Sequence, residues 1–328
     1  MNFSTLFHQE DATPTRQTQI QQAELLWQYR VSVILWTYIP AILIIFGSIT
    51  NATTILVLAG GKFGRASTRI LLVSLSLSDT TVLYSGLLRQ WIVSVFGIDV
   101  RTLHELSCPL HLFFTYISLQ ASSWIMMLVT LERVISVIFP LKSRVICTAR
   151  ATVIAVIFVT VTLTGLNSHI LAFRRLQPNG GCYASGDYAY FWRYAWFWTE
   201  STVRFGFPAL VVFICNCLIV RTVLRSSAKR REISDGPDES KSTSITVMLV
   251  TTSFVFLFLC LPSAIYFLIR GTMFSSALTQ RQLADIRLWY TITGLLQYAN
   301  NASNFIVYCI SGTGFRMEVS RMIRRIRG

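Results

Sequence analysis

The sequence predicts an all-α fold, a seven-transmembrane helix bundle followed by a short amphipathic eighth helix. Of its 328 residues, 53% are hydrophobic and only 13% are charged, whereas about a quarter of the residues in an average soluble domain are charged. The apolar residues fall in long runs of the length that crosses a bilayer as a helix. A β-barrel would show short alternating segments instead. The runs cover roughly 33–59, 67–95, 107–139, 149–172, 195–222, 243–269 and 286–310.

The basic residues predict the orientation. With the amino terminus outside, 18 of the 29 basic residues, including all four lysines, fall on the cytoplasmic side, as the positive-inside rule requires. The net charge of +14 is then attracted to anionic membrane lipids, and nucleic acid is an unnecessary partner. We therefore expect a multi-pass plasma-membrane protein with an extracellular segment at 1–30, a seven-span domain at 31–310 and a cytoplasmic amphipathic helix and tail at 311–328.

Cysteine positions predict one disulfide. Of the seven cysteines, only Cys108 and Cys182 fall outside in this topology, and a bond between them suits an oxidising compartment. It would tether the second outer loop to the third span; the alternative is two free thiols. Asn2 begins an Asn-Phe-Ser sequon and is a candidate glycosylation site.

The third span is the element around which the rest is organised. Twenty-five residues separate Cys108 from Arg133, and between them only Glu132 is charged. A helix of that length is about 37 Å long, and the hydrocarbon core is about 30 Å thick. Cys108 is therefore expected in one interface, with Glu132 and Arg133 in the other.

Asp79 lies near the middle of the second span. An ionisable residue at that depth costs at least ~2.5–3.5 kcal/mol to insert, so it must face the bundle interior and find polar partners. The candidate partners are Asn51, Ser122, Asn300, Asn301 and Asn304.

Short motifs occur in order along all seven spans. They are Asn51, the LSLSD of 75–79, Cys108 with Glu132-Arg133-Val134, Pro140-Leu141, Pro208, Phe256 with Pro262, and Asn304-Phe-Ile-Val-Tyr308. Together they resemble the fingerprints of rhodopsin-like (class A) G-protein-coupled receptors. The stretches LERVISVIFPLKSRVICTARA and FGFPALVVFICNCLIVRTVLR are similar to those of invertebrate neuropeptide receptors, loosely the FMRFamide-like group.

The chain departs from the family pattern at several positions. The proline expected after Asn304 is Phe305, so that kink is missing. Cys260 replaces the Trp found two residues before the sixth-span proline, and Asn216 replaces a Tyr in the fifth span. The fourth span has Phe158 near the place of its usual Trp. The Trp toggle and the Tyr–Tyr water bridge of the family therefore cannot be carried over.

The resemblance implies a receptor that binds an extracellular ligand and activates a heterotrimeric G protein, with arrestin as a further partner. Glu132 would hold Arg133 at rest, and its release would admit the G protein; the alternative is plain snorkelling of a charged pair. The residues implied as activation switches are Glu132, Arg133, Phe256, Pro262, Asn304 and Tyr308. Those implied as G-protein contacts are Arg133, Ile138 and Leu141.

The resemblance also implies one ion. Asp79, Ser122, Asn300 and Asn304 are similar to the family's sodium pocket, and their oxygens suit a hard cation. The alternative is a water-filled polar cluster, and no other cofactor is expected. After Ser311, apolar residues recur at helical spacing opposite five arginines, typical of an interfacial amphipathic helix; the alternative is a frayed basic tail.

The ligand cavity is expected between the third, fifth, sixth and seventh spans. Thr115 stands where amine receptors place a carboxylate, so a biogenic amine is not expected. Glu200 and Arg204 either bind ligand or pair with each other. The aromatic and charged outer loops favour a short peptide; a lipid or other small molecule is the alternative. The lining candidates are Arg89, Gln90, His111, Thr115, Tyr116, Leu119, Glu200, Arg204, Tyr266, Arg270, Tyr290, Gln297 and Tyr298.

Other function classes are less well supported. No metalloprotease motif, nucleophile elbow or phosphate loop is present, so we expect no enzyme. No lysine lies in a span, which excludes an opsin Schiff base. His104 and His111 are a poor zinc pair, since histidines at a helix mouth are usually solvated. A seven-span transporter would need a polar path across the membrane, yet an apolar band at 125–131 lies beneath Asp79.

Overall fold

The computed structural model describes residues 26–60, 63–177, 180–184, 186–230, 237–272 and 279–327, and almost all of them are helical. Asn2 and the side chain of Arg270 lie outside the described part of the chain. Eight long helices follow one another: α1 (Trp27–Ala59), α2 (Ala66–Phe96), α3 (Ser107–Ile138), α4 (Ala149–Phe173), α5 (187–230), α6 (Pro237–Thr272), α7 (Gln280–Ser311) and α8 (Thr313–Arg327).

Six of these helices, α1 to α6, contain stretches long and apolar enough to cross a membrane. The chain is therefore a multi-pass membrane protein, as the apolar runs predict. The helix α7 is also long, at 32 residues, but it carries more polar residues and does not meet the same measure of apolarity. Its buried Asn300, Asn301 and Asn304 account for part of that polarity.

The long helices form a closed bundle. Around its rim α1 contacts α2 and α7, α2 contacts α4, and α5 and α6 complete the ring, while α3 runs inside and touches α2, α4, α5 and α6. Glycine allows the closest approaches, because it has no side chain to separate the backbones. A Cβ at Gly47 of α1 would lie 2.4 Å from Leu83 of α2 and 3.0 Å from the Cβ of Ala302 of α7.

The end of α3 lies one residue before the predicted end of the third span at 139. The helix stops at Ile138, and Phe139 leaves helical geometry with φ −126° and ψ 66°. The cause is Pro140, which disfavours the helical region for the residue before it and starts the short helix Pro140–Ile146 as its first residue. Leu141 therefore lies on this short helix rather than on α3.

A small hairpin covers one end of the bundle. Strands β1 (Arg174–Leu176) and β2 (Cys182–Ala184) pair antiparallel, and Cys182 forms a disulfide with Cys108 at the start of α3. The predicted disulfide is thus confirmed. We call this the disulfide end, and the opposite end, where Arg133 lies, the arginine end.

The helix α5 begins at residue 187, earlier than the predicted 195. It contains two π-helical turns, Trp192–Trp196 and Thr202–Gly206. The first turn directs Trp192 and Trp196 into a buried cluster with Tyr116 of α3 and the disulfide. Burial of these aromatic rings explains why the helix extends beyond the purely apolar run that the sequence suggests.

The helix α8 follows α7 after Gly312. Its Phe315 is completely buried and meets Phe63 edge to face at a centroid distance of 5.7 Å. Val319 and Met322, one and two turns further on, are partly buried against the same cluster. This segment is therefore a helix with one face against the arginine end, rather than a frayed tail.

Candidate functional site

Polar residues meet in the middle of the bundle around Asp79. Its Oδ1 accepts hydrogen bonds from Ser122 Oγ at 2.6 Å and Asn301 Nδ2 at 2.7 Å, and its Oδ2 accepts one from Asn304 Nδ2 at 2.7 Å. These contacts tie α2 to α3 and α7. A fully buried carboxylate thereby gains the polar partners that an apolar environment demands.

The asparagines that contact Asp79 differ at one position from those predicted to hold the cation with it. Asn301, rather than Asn300, contacts Asp79, because Asn301 and Asn304 lie three residues apart on the same face of α7. The side-chain oxygens of Asn300 and Asn301 are buried and have no hydrogen-bond partner among the described residues. Carboxylate and amide oxygens are the ligands that a hard cation prefers, so the side chains of this cluster include the donor types that a sodium ion would need.

Glu132 and Arg133 are buried at the arginine end and contact α2. The Oε1 of Glu132 accepts hydrogen bonds from the hydroxyls of Ser67 at 2.7 Å and Thr68 at 2.9 Å. Arg133 Nη2 lies 3.3 Å from the same Oε1 and also donates to Thr68 Oγ1. Arg133 is therefore held against α2 and its own neighbour rather than projecting out of the bundle.

The predicted partner-contact residues flank this arginine. Leu141 is 78% exposed on the short helix, and Ile138 is partly buried at the end of α3. An exposed apolar side chain of this kind is suited to contact with another protein. The structure contains no such protein, so the contact stays a prediction.

The helix α6 packs on α3 at the level where the family pattern is broken. Phe256 and Cys260 are buried in one apolar cluster with Ile125 of α3, and Pro262 lies inside the helix just beyond them. Towards the arginine end, the hydroxyls of Thr130 and Ser253 lie 3.2 Å apart and join α3 to α6. Cysteine thus fills space where the family carries a Trp.

Two of the buried polar groups without hydrogen-bond partners among the described residues belong to α7 and α5. One is the hydroxyl of Tyr308, whose ring lies 5.4 Å from that of Phe315. The other is the side-chain amide of Asn216, of which neither the nitrogen nor the oxygen is hydrogen-bonded.

Glu200 and Arg204 of α5 lie at the disulfide end. Arg204 Nη1 is 3.3 Å from Glu200 Oε1, and Arg204 Nη2 donates to Gln297 Oε1 of α7 at 2.7 Å. Glu200 and Arg204 therefore pair with each other, which is one of the two predicted alternatives. The same arginine also joins α5 to α7. All three side chains are buried, so a ligand entering between these helices would meet them together.

The aromatic lining candidates are distributed over α3, α6 and α7. Tyr116 lies against Trp192 and Trp196 of α5, at centroid distances of 5.8 and 6.0 Å. Tyr266 of α6 lies 5.8 Å from Tyr290 of α7. These rings and the Arg204 contact bring α3, α5, α6 and α7 together at the disulfide end.

Most of the remaining lining candidates make contacts within their own helix or with neighbouring helices, or are simply buried. Thr115 donates its hydroxyl to the carbonyl of His111 one turn earlier at 2.7 Å. Leu119 and Gln90 are buried, and Tyr298 lies 6.5 Å from Trp36 of α1. The described residues contain no group of three or more side chains with which His111 could hold a metal ion.

Arg89, the last candidate, is bound within the protein. Asp99 of the loop after α2 accepts from Arg89 Nη2 at 2.5 Å and from Arg101 Nη2 at 2.7 Å. Burial alone would raise the pKa of Asp99, but hydrogen bonds from both arginines hold that pKa well below its usual range. Asp99 and Arg101 were not among the sequence candidates, since two charges in a short loop carry no periodic signal.

Comparison with known proteins identifies the family to which the chain is similar. Residues 50–308 match the family model of the 7 transmembrane receptor (rhodopsin family). The chain is 22% identical to Sex peptide receptor-related protein 2 of Caenorhabditis elegans, over 87% of this chain and 70% of that one. It is 24% identical to the FMRFamide receptor of Drosophila melanogaster, over 83% and 50%.

A further relative matches over a shorter region. The chain is 27% identical to the Galanin-like G-protein coupled receptor npr-9 of Caenorhabditis elegans, over 47% of this chain and 36% of that receptor. The match to the family model covers all the motifs from Asn51 to Tyr308, and this family consists of receptors rather than enzymes. The chain therefore belongs to the rhodopsin family of seven-transmembrane receptors.

Proposed function

We propose that the chain is a plasma-membrane receptor that binds a short extracellular peptide at the disulfide end and activates a heterotrimeric G protein at the arginine end. The observation that carries this proposal is Arg133, held by Thr68 and Glu132 at the opposite end of the helix from Cys108. One helix thus connects a tethered outer loop with a buried, releasable cation.

The proposal includes seven spans. In this arrangement α7 crosses the membrane with its polar face towards Asp79, so that Asn301 and Asn304 do not contact lipid. The amino terminus and segment 1–30 lie outside, 31–310 form the membrane domain, and 311–328 lie inside with α8 in the interface. Arrestin at the arginine end and anionic lipids around α8 are further proposed partners.

Activation is proposed as a two-state change. At rest, Arg133 is bound to Thr68 and Glu132, and α6 is joined to α3 through Thr130 and Ser253. A ligand shifts this equilibrium only if it binds the open state more tightly. Movement of α6 about Pro262 would separate the two hydroxyls and open space beside Arg133 for the G protein.

A peptide is favoured by the chemistry of the disulfide end. Buried aromatic rings and the buried Glu200 and Arg204 offer stacking and charged contacts of the kind that peptides use. Three relatives are a galanin-like receptor, a sex peptide receptor-related protein and an FMRFamide receptor, and on that basis we extend a peptide ligand to this chain.

A lipid or other small molecule is a second candidate ligand, favoured by one cavity. It has a volume of about 550 Å³ and lies between α6 and α7, lined by Pro262, Tyr266 and Trp289 among others. Exposed apolar residues such as Phe258 and Leu261 line its mouth, so it opens towards the lipid rather than towards the hairpin.

The proposed function predicts a response to secreted peptides. Cells that express the full chain are exposed to fractionated secreted peptides and, separately, to lipid extracts, with calcium and cyclic AMP as readouts. We expect a protease-sensitive fraction to activate wild-type cells and not cells that express Arg133→Gln. A response found only in the lipid arm would contradict the peptide assignment, and a response unchanged in Arg133→Gln would contradict the coupling.

The sodium proposal predicts the effect of Asp79→Asn. The carboxylate supplies the charge that would hold the ion with Ser122 and the amide oxygens of α7, and the variant keeps its shape but not its charge. Agonist affinity of the wild type is expected to fall as sodium replaces a bulky organic cation, and that of Asp79→Asn to stay constant. Sodium dependence that survives in Asp79→Asn would mean that the ion acts elsewhere.

A further inference from the structure

The disulfide end contains more buried positive charge than negative charge. The buried cations there are Arg89, Arg101, Arg174 and Arg204. Among the described side chains, the carboxylates in ion pairs with them are Asp99, which is shared by two arginines, and Glu200. A buried charge without a counter-charge is costly. The surplus therefore favours an anion that the described part of the chain does not supply.

Arg174 is the arginine of this group for which the described side chains supply no carboxylate. Its Nη1 donates to the carbonyl oxygen of Cys182 at 3.2 Å, and its guanidinium carbon lies 3.6 Å from the ring centroid of Trp192. Its Nε is buried and has no hydrogen-bond partner among the described residues. Burial lowers the pKa of Arg174 to about 10, so the side chain is still positively charged at neutral pH.

The position of Arg174 places this charge next to the disulfide and the aromatic residues of α5 and α3. It is the first residue of β1 and pairs with Ala184, two residues beyond the disulfide. The ring under its guanidinium, Trp192, lies 5.8 Å from Tyr116 of α3. Arg174, Trp192 and Tyr116 therefore lie side by side at the disulfide end.

We infer that the ligand carries a carboxylate and that Arg174 binds it. The inference rests on the proposed peptide receptor and narrows its ligand class. A carboxylate accepts two parallel hydrogen bonds from one guanidinium, and Arg174 has an unpaired Nε besides its Nη atoms. The carboxylate is supplied either by the carboxyl terminus of the peptide or by an Asp or Glu side chain. A peptide with only basic charges and an amidated carboxyl terminus would increase the excess of positive charge at the disulfide end instead of neutralising it.

A purely structural role is the competing explanation. Stacked on Trp192 and bonded to the carbonyl of Cys182, Arg174 could simply clamp the hairpin to α5. Loss of a clamp would weaken every ligand by a similar factor. Loss of an anion-binding group would instead remove the difference between a carboxylate ligand and its neutral counterpart, and this difference is the quantity to measure.

The probes are short aromatic synthetic peptides in matched sets. Within each set one member ends in a free acid and one in an amide, and one carries Glu where its counterpart carries Gln. Purified full-length receptor in nanodiscs is titrated with each member, and the shift of its melting temperature gives the affinity without any signalling partner. Arg174→Gln is compared with Arg175→Gln, a matched control on the same strand. Arg175 is exposed, donating to the carbonyls of Leu171 and Arg174.

We expect the carboxylate member of at least one set to bind wild type about tenfold or more tightly than its neutral counterpart, the size expected of a hydrogen bond to a charged group. The preference should persist in Arg175→Gln and nearly vanish in Arg174→Gln. The acid–amide and Glu–Gln pairs then identify the source of the carboxylate.

Three results would overturn the inference. If neutral members bind as tightly as their carboxylate counterparts, the inference about the carboxylate fails, but the proposed peptide-receptor function does not. A preference that survives in Arg174→Gln would assign the anion to another residue. Binding by no member of any set would also contradict it, and the secreted-peptide experiment would then decide separately whether the proposed function fails too. If Arg174→Gln does not fold, the wild-type preference and Arg174→Lys, which keeps the charge but not the planar fork, still test the inference.

Discussion

Replacement of Arg133 by Gln is expected to reduce ligand-stimulated G-protein activation to the level of cells without the receptor. The structure holds Arg133 on Thr68 and Glu132, and the active state requires this charge at the arginine end. Gln keeps polarity and much of the length but not the charge. Activation is measured as nucleotide exchange on the G protein, normalised to the amount of receptor at the cell surface.

Two companion variants sharpen the result for Arg133. In Glu132→Gln the carboxylate contact at 3.3 Å is lost, so the resting state is destabilised and basal activation should rise severalfold, within the range of typical coupling energies. Arg144→Gln removes a charge from an exposed arginine of the neighbouring short helix and should change little. Full signalling by Arg133→Gln, or a silent Glu132→Gln at normal surface level, would refute the switch.

Replacement of Cys182 by Ser is expected to have the largest effect on the disulfide end. The bond closes a separation of 74 residues, and in the chain-entropy account a cross-link of that span contributes on the order of 4 kcal/mol. The strands that it holds have only three residues each, and an isolated two-stranded hairpin is marginal at best. We therefore expect loss of surface expression or at least a tenfold loss of ligand affinity, measured by surface staining and saturation binding.

The controls for Cys182→Ser use the other cysteines. Cys108→Ser and the double variant should resemble Cys182→Ser, because each removes the same bond. Cys147→Ser, at the arginine end, removes a free thiol and should leave both measurements unchanged. Normal expression together with normal affinity in Cys182→Ser would show that the hairpin is held by its packing on Trp192 and Tyr116 alone.

Much of the fold could be predicted because it follows from apolar runs. Helices α1 to α7 lie where those runs lie, and the Cys108–Cys182 bond follows from which cysteines the topology leaves outside. The partners of Asp79 were also limited in advance, since few polar residues lie at its depth. Asn301, rather than Asn300, contacts Asp79, and a choice between neighbouring residues depends on a rotation of α7 that the sequence does not specify.

The charged part of the disulfide end was largely missed, for physical reasons. On β1 successive side chains point to opposite faces, so Arg174 is buried and Arg175 exposed, but two adjacent arginines do not reveal which one faces inward. Asp99 and Arg101 lie in a short loop without periodicity. Arg89 was predicted to line the cavity, and the structure adds its ion pair with Asp99, which the sequence did not indicate.

The number of spans is the central claim, because an odd number places the two ends of the chain on opposite sides of the membrane and an even number places them on the same side. By apolarity, six helices of the described chain qualify as spans, and α7 is added on the argument that its polar face surrounds Asp79. The direct measurement is antibody staining of an epitope at residue 1 and another at residue 328, in intact and in permeabilised cells. Seven spans predict that the first epitope is stained on intact cells and the second only after permeabilisation; staining of both epitopes on the same side would contradict the account.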